Sequence, residues 1–573
     1  MLDARNSLIS LIRVATRQPE WIEEQLAEDF DSLAPLALEI ALEEENDALA
    51  DVITRLLKAS GNANVARRLE PMVPAFTVVL SRTAVEIQRQ ILSGLEKLRA
   101  TSGEGSAADL EERARILVKL TFRLNKLGSR SEALARAKEA VEIRRQWANG
   151  NFKEFAPGLA NALKNLSALL EGEMWQGKDA VALAEEAVAI YRNLAEGNWD
   201  RFAPNLASAL KNKASQLKAA GKSEEALGPA QKGLAIWRRL AECKGDVLDR
   251  DLADALNNLA VLFGDTSRWG EALEIAEETL AIRRGLALLD PDAFDPDLAK
   301  SLINLAAFLS GAGRRSEALA PGGAGIVLLR GLSRRNPDAF GIDLVRALNN
   351  LANDLKQLQR RSEALAWTDE AVRVCRQLAD RNREAYEPEL VRSLNNMAVD
   401  LSEMDRWSEA LEVIEEAVRL CRQPSERESE VFALNFSTTL HNQAAFLHAL
   451  GRRTEALVPA EEAVTIRRRL AQTNPDYFGA DFANALNTLA TVFSDLGERN
   501  EAFAAIEEAL GLWRQVAHSK PNALPADLLR SLHDLRMSLC VSPSDGGGRP
   551  TIARLGVGTG AFQSTPQKTP GLG

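Results

Sequence analysis

Apolar residues recur along most of this chain at i, i+3, i+4 and i+7, the spacing that lays one stripe along a helix. Over 251–263 the stripe is Leu252, Ala255, Leu256, Leu259, Ala260 and Phe263. A second helix is predicted over 271–286, after a short turn. That turn often carries Gly (Gly128, Gly221, Gly313, Gly451, Gly497), suited to the left-handed residue past a helix end. Ser131, Ser316, Ser362, Ser408 and Thr454 stand where they would cap the second helix. Turns such as Asn336-Pro337-Asp338 and Asn474-Pro475-Asp476 close the unit.

The two-helix pattern repeats. An acidic-Ala pair opens the second helix at Glu132, Asp179, Glu225, Glu271, Glu317, Glu363, Glu409, Glu455 and Glu501, at one interval of 47 residues and then seven of 46. One amphipathic pair cannot bury its own apolar face, so nine such units must stack. This predicts an all-α solenoid of about nine antiparallel helix pairs over residues 110–540. Its end is a lone helix-A pattern over 528–539, read as a capping helix. Residues 541–573 are rich in Ser, Gly, Pro and Thr, lack an apolar period and read as a disordered tail. Residues 1–109 are off the period, with helices predicted over 20–30, 33–44, 47–57 and 74–98. They are either degenerate repeats or a small adaptor. The fifth unit carries Ala320-Pro321-Gly322-Gly323-Ala324-Gly325 inside its second helix. That is an expected weak point, either a frayed repeat or a hinge.

Composition agrees with helix. Ala, Leu, Glu and Arg dominate and there are only 3 Tyr. A formal net charge of −11 counts against nucleic acid as a partner. The four cysteines (Cys243, Cys375, Cys421, Cys540) form no CxxC pair. Cys375 and Cys421 share a column and are read as buried thiols. Asp3 and Arg13 interrupt any leader-like run, and no stretch of eighteen apolar residues offers a membrane span. The expectation is a cytoplasmic protein off the membrane. The four His lack a metal-binding spacing, and Gly556, Gly558 and Gly560 have no strand before them. We therefore expect no catalytic residues, no metal, no cofactor and no enzyme.

Between Gln443 and Arg468, residues Ala444, Leu447, Gly451, Ala456 and Ala463 match the small and large positions of the tetratricopeptide repeat. The chain resembles that family over 110–540, in a long-repeat form similar to kinesin light chain and to bacterial and fungal arrays. The resemblance implies a right-handed superhelix whose concave groove takes a protein or peptide partner.

Two ladders bear on that function. The first is Asn on helix A: Asn165, Asn212, Asn258, Asn304, Asn350, Asn396 and Asn442. These flank the apolar stripe, and an amide that donates and accepts suits an extended peptide backbone. The resemblance implies the same groove-lining role; the alternative is that they fix repeat stacking. The second ladder is Arg145, Arg192, Arg238, Arg284, Arg330, Arg376, Arg422, Arg468 and Arg514 near the end of helix B. Thirteen residues on stand acids at Asp251, Asp297, Asp343, Glu389, Asp481 and Asp527. Arg–carboxylate pairs joining consecutive units are the simplest reading. The function expected is a protein-interaction scaffold. The alternative is the sensor or oligomerisation arm of a signalling assembly with a separately encoded effector, and the oligomeric state stays open.

Overall fold

The computed structural model describes residues 19–44, 46–74, 79–102, 107–150, 152–170, 177–244, 249–422, 430–473 and 475–519. Among them the backbone forms 23 α-helices, a single 3-10 turn and no strand. Five helices come first: α1 (Pro19–Glu28), α2 (Phe30–Glu43), α3 (Asp47–Ser60), α4 (Ala63–Leu69) and α5 (Ser81–Ser102). Nine helix pairs follow. They are α6 (Ala107–Lys126) with α7 (Arg130–Gly150), α8 (Phe152–Leu169) with α9 (Gly177–Gly197), and α10 (Trp199–Ala219) with α11 (Ser223–Lys244). Next come α12 (Asp249–Asp265) with α13 (Trp269–Leu289), α14 (Pro291–Gly311) with α15 (Arg315–Arg335), and α16 (Pro337–Gln357) with α17 (Arg361–Arg381). The last three are α18 (Arg383–Glu403) with α19 (Trp407–Arg422), α20 (Glu430–Ala449) with α21 (Arg453–Thr473), and α22 (Pro475–Leu496) with α23 (Arg499–Ser519). The expected capping helix at 528–539 and the tail at 541–573 lie outside the described residues.

The chain divides into two compact units, the first ending at Leu262 and the second beginning at Phe263, inside α12. In the first, one hydrophobic core runs from Ile22 of α1 to Leu210 of α10, so the off-period helices share their core with the repeats. The helix expected over 74–98 begins only at Ser81, and the short α4 was not anticipated. Asn62 caps α4 by accepting from the Asn64 and Val65 amides. In the second unit, Leu344, Leu348, Leu351 and Leu355 of α16 pack with Ala364, Ala371 and Cys375 of α17 and Leu390 and Leu394 of α18.

The acidic-Ala pair has a steric reason. Its alanines (Ala133, Ala180, Ala226, Ala272, Ala318, Ala364, Ala410, Ala456 and Ala502) are each at most 1% exposed, so any larger side chain would overpack the contact. The turn before it is left-handed in each of eight units, at Gly128, Gly221, Gly313, Gly451 and Gly497 and also at Ser267, Gln359 and Asp405. At Gly313 the chain closes with Arg314 N donating to Leu309 O at 2.8 Å, a bond that ends the helix.

Three local expectations are corrected. The Ser column does not cap helix B: Arg314 and Arg360 are the N-cap residues, and Ser316 and Ser362 lie in the first turn. Each capping Arg instead forks onto the acid of the acidic-Ala pair, as Arg314 does with Glu317 at 2.7 and 2.8 Å. Asn336-Pro337-Asp338 is not a closing turn but the start of α16, with Asn336 accepting from Ala339 N and Pro337 in the first helical position. The fifth unit is not frayed: α15 is continuous through Pro321 and its glycines. A Cβ on Gly325 would lie 2.7 Å from Ile303 Cδ1, and one on Gly322 would lie 3.2 Å from Leu351 Cδ1. Those glycines let α15 approach α14 and α16 closely, which offsets their poor helix propensity.

Candidate functional site

The Arg ladder does join consecutive units, but through a different acid. Arg330 donates from Nε and Nη2 to the two carboxylate oxygens of Glu370, both at 2.9 Å. Arg376 with Glu416 and Arg468 with Glu508 make the same fork, while Arg145 with Glu186 and Arg422 with Glu462 pair through Nη2. Each partner lies forty residues on (forty-one for Arg145 and Glu186), on the next helix B, rather than thirteen on. Asp297 and Asp481 are reached by the preceding Arg: Arg283 Nη1 donates to the Asp297 carbonyl at 2.7 Å, and Arg467 Nη1 to the Asp481 carbonyl at 2.8 Å. Adjacent residues on a helix point about 100° apart, so one Arg of each doublet faces helix A and the next faces the neighbouring helix B. Glu389 accepts from Arg392 within its own helix. Asp343 is half-buried, and burial raises its pKa against the pull of Arg346 and Lys300. Asp251 is raised by burial and by Asp254, against Lys211 and Arg250. Arg238 belongs to the first unit. Forty residues after Arg284 the sequence has Ala324 where sister units carry Glu, and Arg284 makes no ion pair among the described residues.

The Asn ladder divides in two. In the first unit Asn212 Nδ2 donates to Ser167 Oγ at 2.6 Å, tying α10 to α8, while Asn165 and Asn258 are half-buried without a hydrogen bond among the described residues. In the second unit Asn442 is 1% exposed and donates to Asn395 Oδ1 at 3.3 Å, so its groove-lining role is withdrawn. Asn304 and Asn396 are half-buried, and Asn350 is exposed. The column one residue earlier carries the ties between successive helices A. Lys164 Nζ donates to Ser208 at 3.3 Å, Asn349 Nδ2 to Ser393 at 3.3 Å and Asn395 Nδ2 to Thr439 at 2.7 Å. The doublets Asn349-Asn350 and Asn395-Asn396 were the signal: the first Asn fixes stacking and the second faces outward.

In the second unit the open face of helix A carries a further column that the sequence reading passed over. Lys300, Arg346 and Arg392 each stand four residues before Asn304, Asn350 and Asn396, one turn away on the same face. The Nε atoms of Arg346 and Arg392 are buried and lack a hydrogen-bond partner. Asn353 lengthens the face on α16. Beyond α18 the face closes: Asn442, Thr488 and Thr491 are all buried. The result is three parallel rows, each with a cation and an amide, on α14, α16 and α18. Such a surface can take carboxylates on its cations and peptide groups on its amides.

Five stretches, residues 252–287, 344–382, 390–423, 437–476 and 482–517, match the tetratricopeptide repeat family model. Residues 115–164 match that of anaphase-promoting complex subunit 5. A comparison with curated proteins found no match. Solved structures of similar fold include BtubC (BKLC) from P. vanneervenii, 19% identical with a TM-score of 0.35, covering 44% of this chain and 92% of that one. A putative kinesin light chain of Podosopora anserina with nearly identical TPR-like repeats is 19% identical at a TM-score of 0.31, covering 39% and 96%. The apo form of RapI is 10% identical at a TM-score of 0.45, covering 71% and 98%. No described helix is long and apolar enough to cross a membrane.

Proposed function

We propose, from the premise that this chain belongs to the tetratricopeptide-repeat family, that α14, α16 and α18 hold an extended acidic segment of a partner protein. The repeats make the chain a protein-interaction scaffold; the cation-amide rows supply the chemistry. One observation carries the reading: Arg346 and Asn350 stand one turn apart on α16, Arg346 making no hydrogen bond or ion pair among the described residues and Asn350 exposed. A guanidinium with spare donors favours a carboxylate. A free amide one turn away can both donate to and accept from the peptide backbone beside that carboxylate. The same two columns hold Arg392, which also pairs with Glu389, and Asn396 one unit on, and Lys300 and Asn304 one unit before. An extended strand crossing the three helices would meet a cation and an amide at each. Modest contacts repeated over three rows add to a useful affinity.

The test is a displayed library of random peptides selected on the wild-type chain and on Arg346→Ala/Asn350→Ala/Asn396→Ala. We expect peptides enriched in Asp and Glu from the wild type and none above background from the variant, with its helical circular dichroism unchanged. Equal enrichment on both proteins would sink the proposal.

A further inference from the structure

The helix-B faces of the second unit are mostly charged, and one stretch departs from this. On α13 the exposed residues in the C-terminal half are Ala281, Arg284, Gly285, Leu288 and Leu289, with Leu288 86% and Leu289 82% exposed. On α15 the exposed residues between 318 and 333 are Ala320, Ala324, Val327 and Gly331, with Val327 63% exposed, before the exposed Arg334 and Arg335 end the helix. Sister helices put charge in these columns: where α15 has Gly323 and Ala324, α17 has Asp369 and Glu370, and α19 has Glu415 and Glu416. Single exposed apolar residues need no explanation, but exposed apolar stretches on two successive helices B, interrupted there only by Arg284, do.

The missing charge has a consequence. The Arg-to-Glu register places Arg330 on Glu370, Arg376 on Glu416, Arg422 on Glu462 and Arg468 on Glu508, always forty residues apart. The same register places Arg284 beside Ala324. Arg284 is exposed and makes no ion pair among the described residues. The same face of α13 carries exposed Glu277 and Glu274 about two and three turns before Arg284, so acid and base lie on either side of the small residue Ala281.

We propose that this face is a self-association surface whose occupant is a second copy of the chain. A two-fold axis near Ala281 runs the two α13 helices antiparallel. It sets Arg284 of each copy against Glu277 of the other, which supplies the carboxylate that Ala324 cannot. Such a contact is isologous, with each patch meeting itself. Ala281, Gly285, Ala324 and Gly331 let the helices come close, and Leu288 and Val327 supply apolar area. The paired charges fix the antiparallel register. A partner of another sequence would satisfy the apolar face equally well. The α13 face, however, is complementary in charge to itself, which favours the second copy. The surface lies on helices B and leaves the helix-A face of the peptide proposal untouched.

The experiment is sedimentation equilibrium of the full chain over a wide concentration range, on the wild type and three variants. We expect a wild-type dimer. Ala324→Glu gives Arg284 an intramolecular partner and should weaken the dimer by at least about tenfold while leaving the fold intact. Arg284→Glu should weaken it similarly, and Arg284→Glu with Glu277→Arg should restore it. A wild type that stays monomeric throughout would overturn the proposal and leave the face to a different protein. A dimer unmoved by Ala324→Glu, or one not restored by the double reversal, would overturn it too.

Discussion

The Nε and Nη2 atoms of Arg330 each sit 2.9 Å from a carboxylate oxygen of Glu370, so one guanidinium fork joins α15 to α17. Both side chains are at most about a third exposed, which limits screening by solvent. Glu370→Ala should lower unfolding stability by about 1 kcal/mol, the upper end for a partly exposed pair with bidentate geometry. Arg330→Lys should lose roughly half of that, keeping the charge but not the fork. Urea unfolding monitored by circular dichroism checks both; no change in either variant would mean the ladder does not stabilise the stack.

The glycines of α15 should respond in opposite directions. Gly323 has no atom within 4 Å of where its Cβ would stand, so Gly323→Ala should stabilise by about 0.5–1 kcal/mol through helix propensity. Gly325→Ala would put a Cβ 2.7 Å from Ile303 Cδ1 and 3.3 Å from the Ala299 carbonyl. It should destabilise by about 1–3 kcal/mol despite the better propensity. Thermal melts of the two variants are enough, and a gain at Gly325 would contradict the close approach of α15 to α14.

His441 is buried, and its pKa falls to about 3 through burial, with Arg467 adding to the effect. Between the ordinary value of 6.5 and about 3 the unfolded chain takes up a proton that the folded chain refuses. Stability from this group is therefore complete above pH 6.5 and is lost as pH falls, by up to about 1.4 kcal/mol per pH unit. Sister units carry Asn349 and Asn395 in the same column. His441→Asn should flatten the acid limb of stability against pH by that amount. An unchanged slope would show that other groups set it.

Much of this was legible in the sequence because a period held over nine units marks every residue that must repeat, such as the buried Ala of each acidic-Ala pair. The partner of the Arg ladder was not legible, because Arg330 and Glu370 meet sideways between helices B, a direction that spacing along one helix does not reveal. The buried column just before it, Arg283, Leu329, Cys375, Cys421 and Arg467, hides in plain view because its chemistry changes from unit to unit. The Asn ladder misled at Asn442 for a related reason. Position within a repeat sets the direction of a side chain, but neighbours such as Asn395 decide whether it stays open. The caps were misread by two residues because Arg314 and Arg360 close the turn with a fork onto Glu rather than with a hydroxyl.

The most direct measurement of the peptide-binding proposal is fluorescence anisotropy of one selected acidic peptide titrated with wild-type protein and with Arg346→Ala and Asn350→Ala separately. We expect each substitution to weaken binding by roughly tenfold, since each removes one hydrogen-bonding partner worth about 1–2 kcal/mol, and added salt to weaken the wild type but not Arg346→Ala to the same degree. Undiminished affinity in both variants, with salt dependence unchanged, would contradict the assignment of this face.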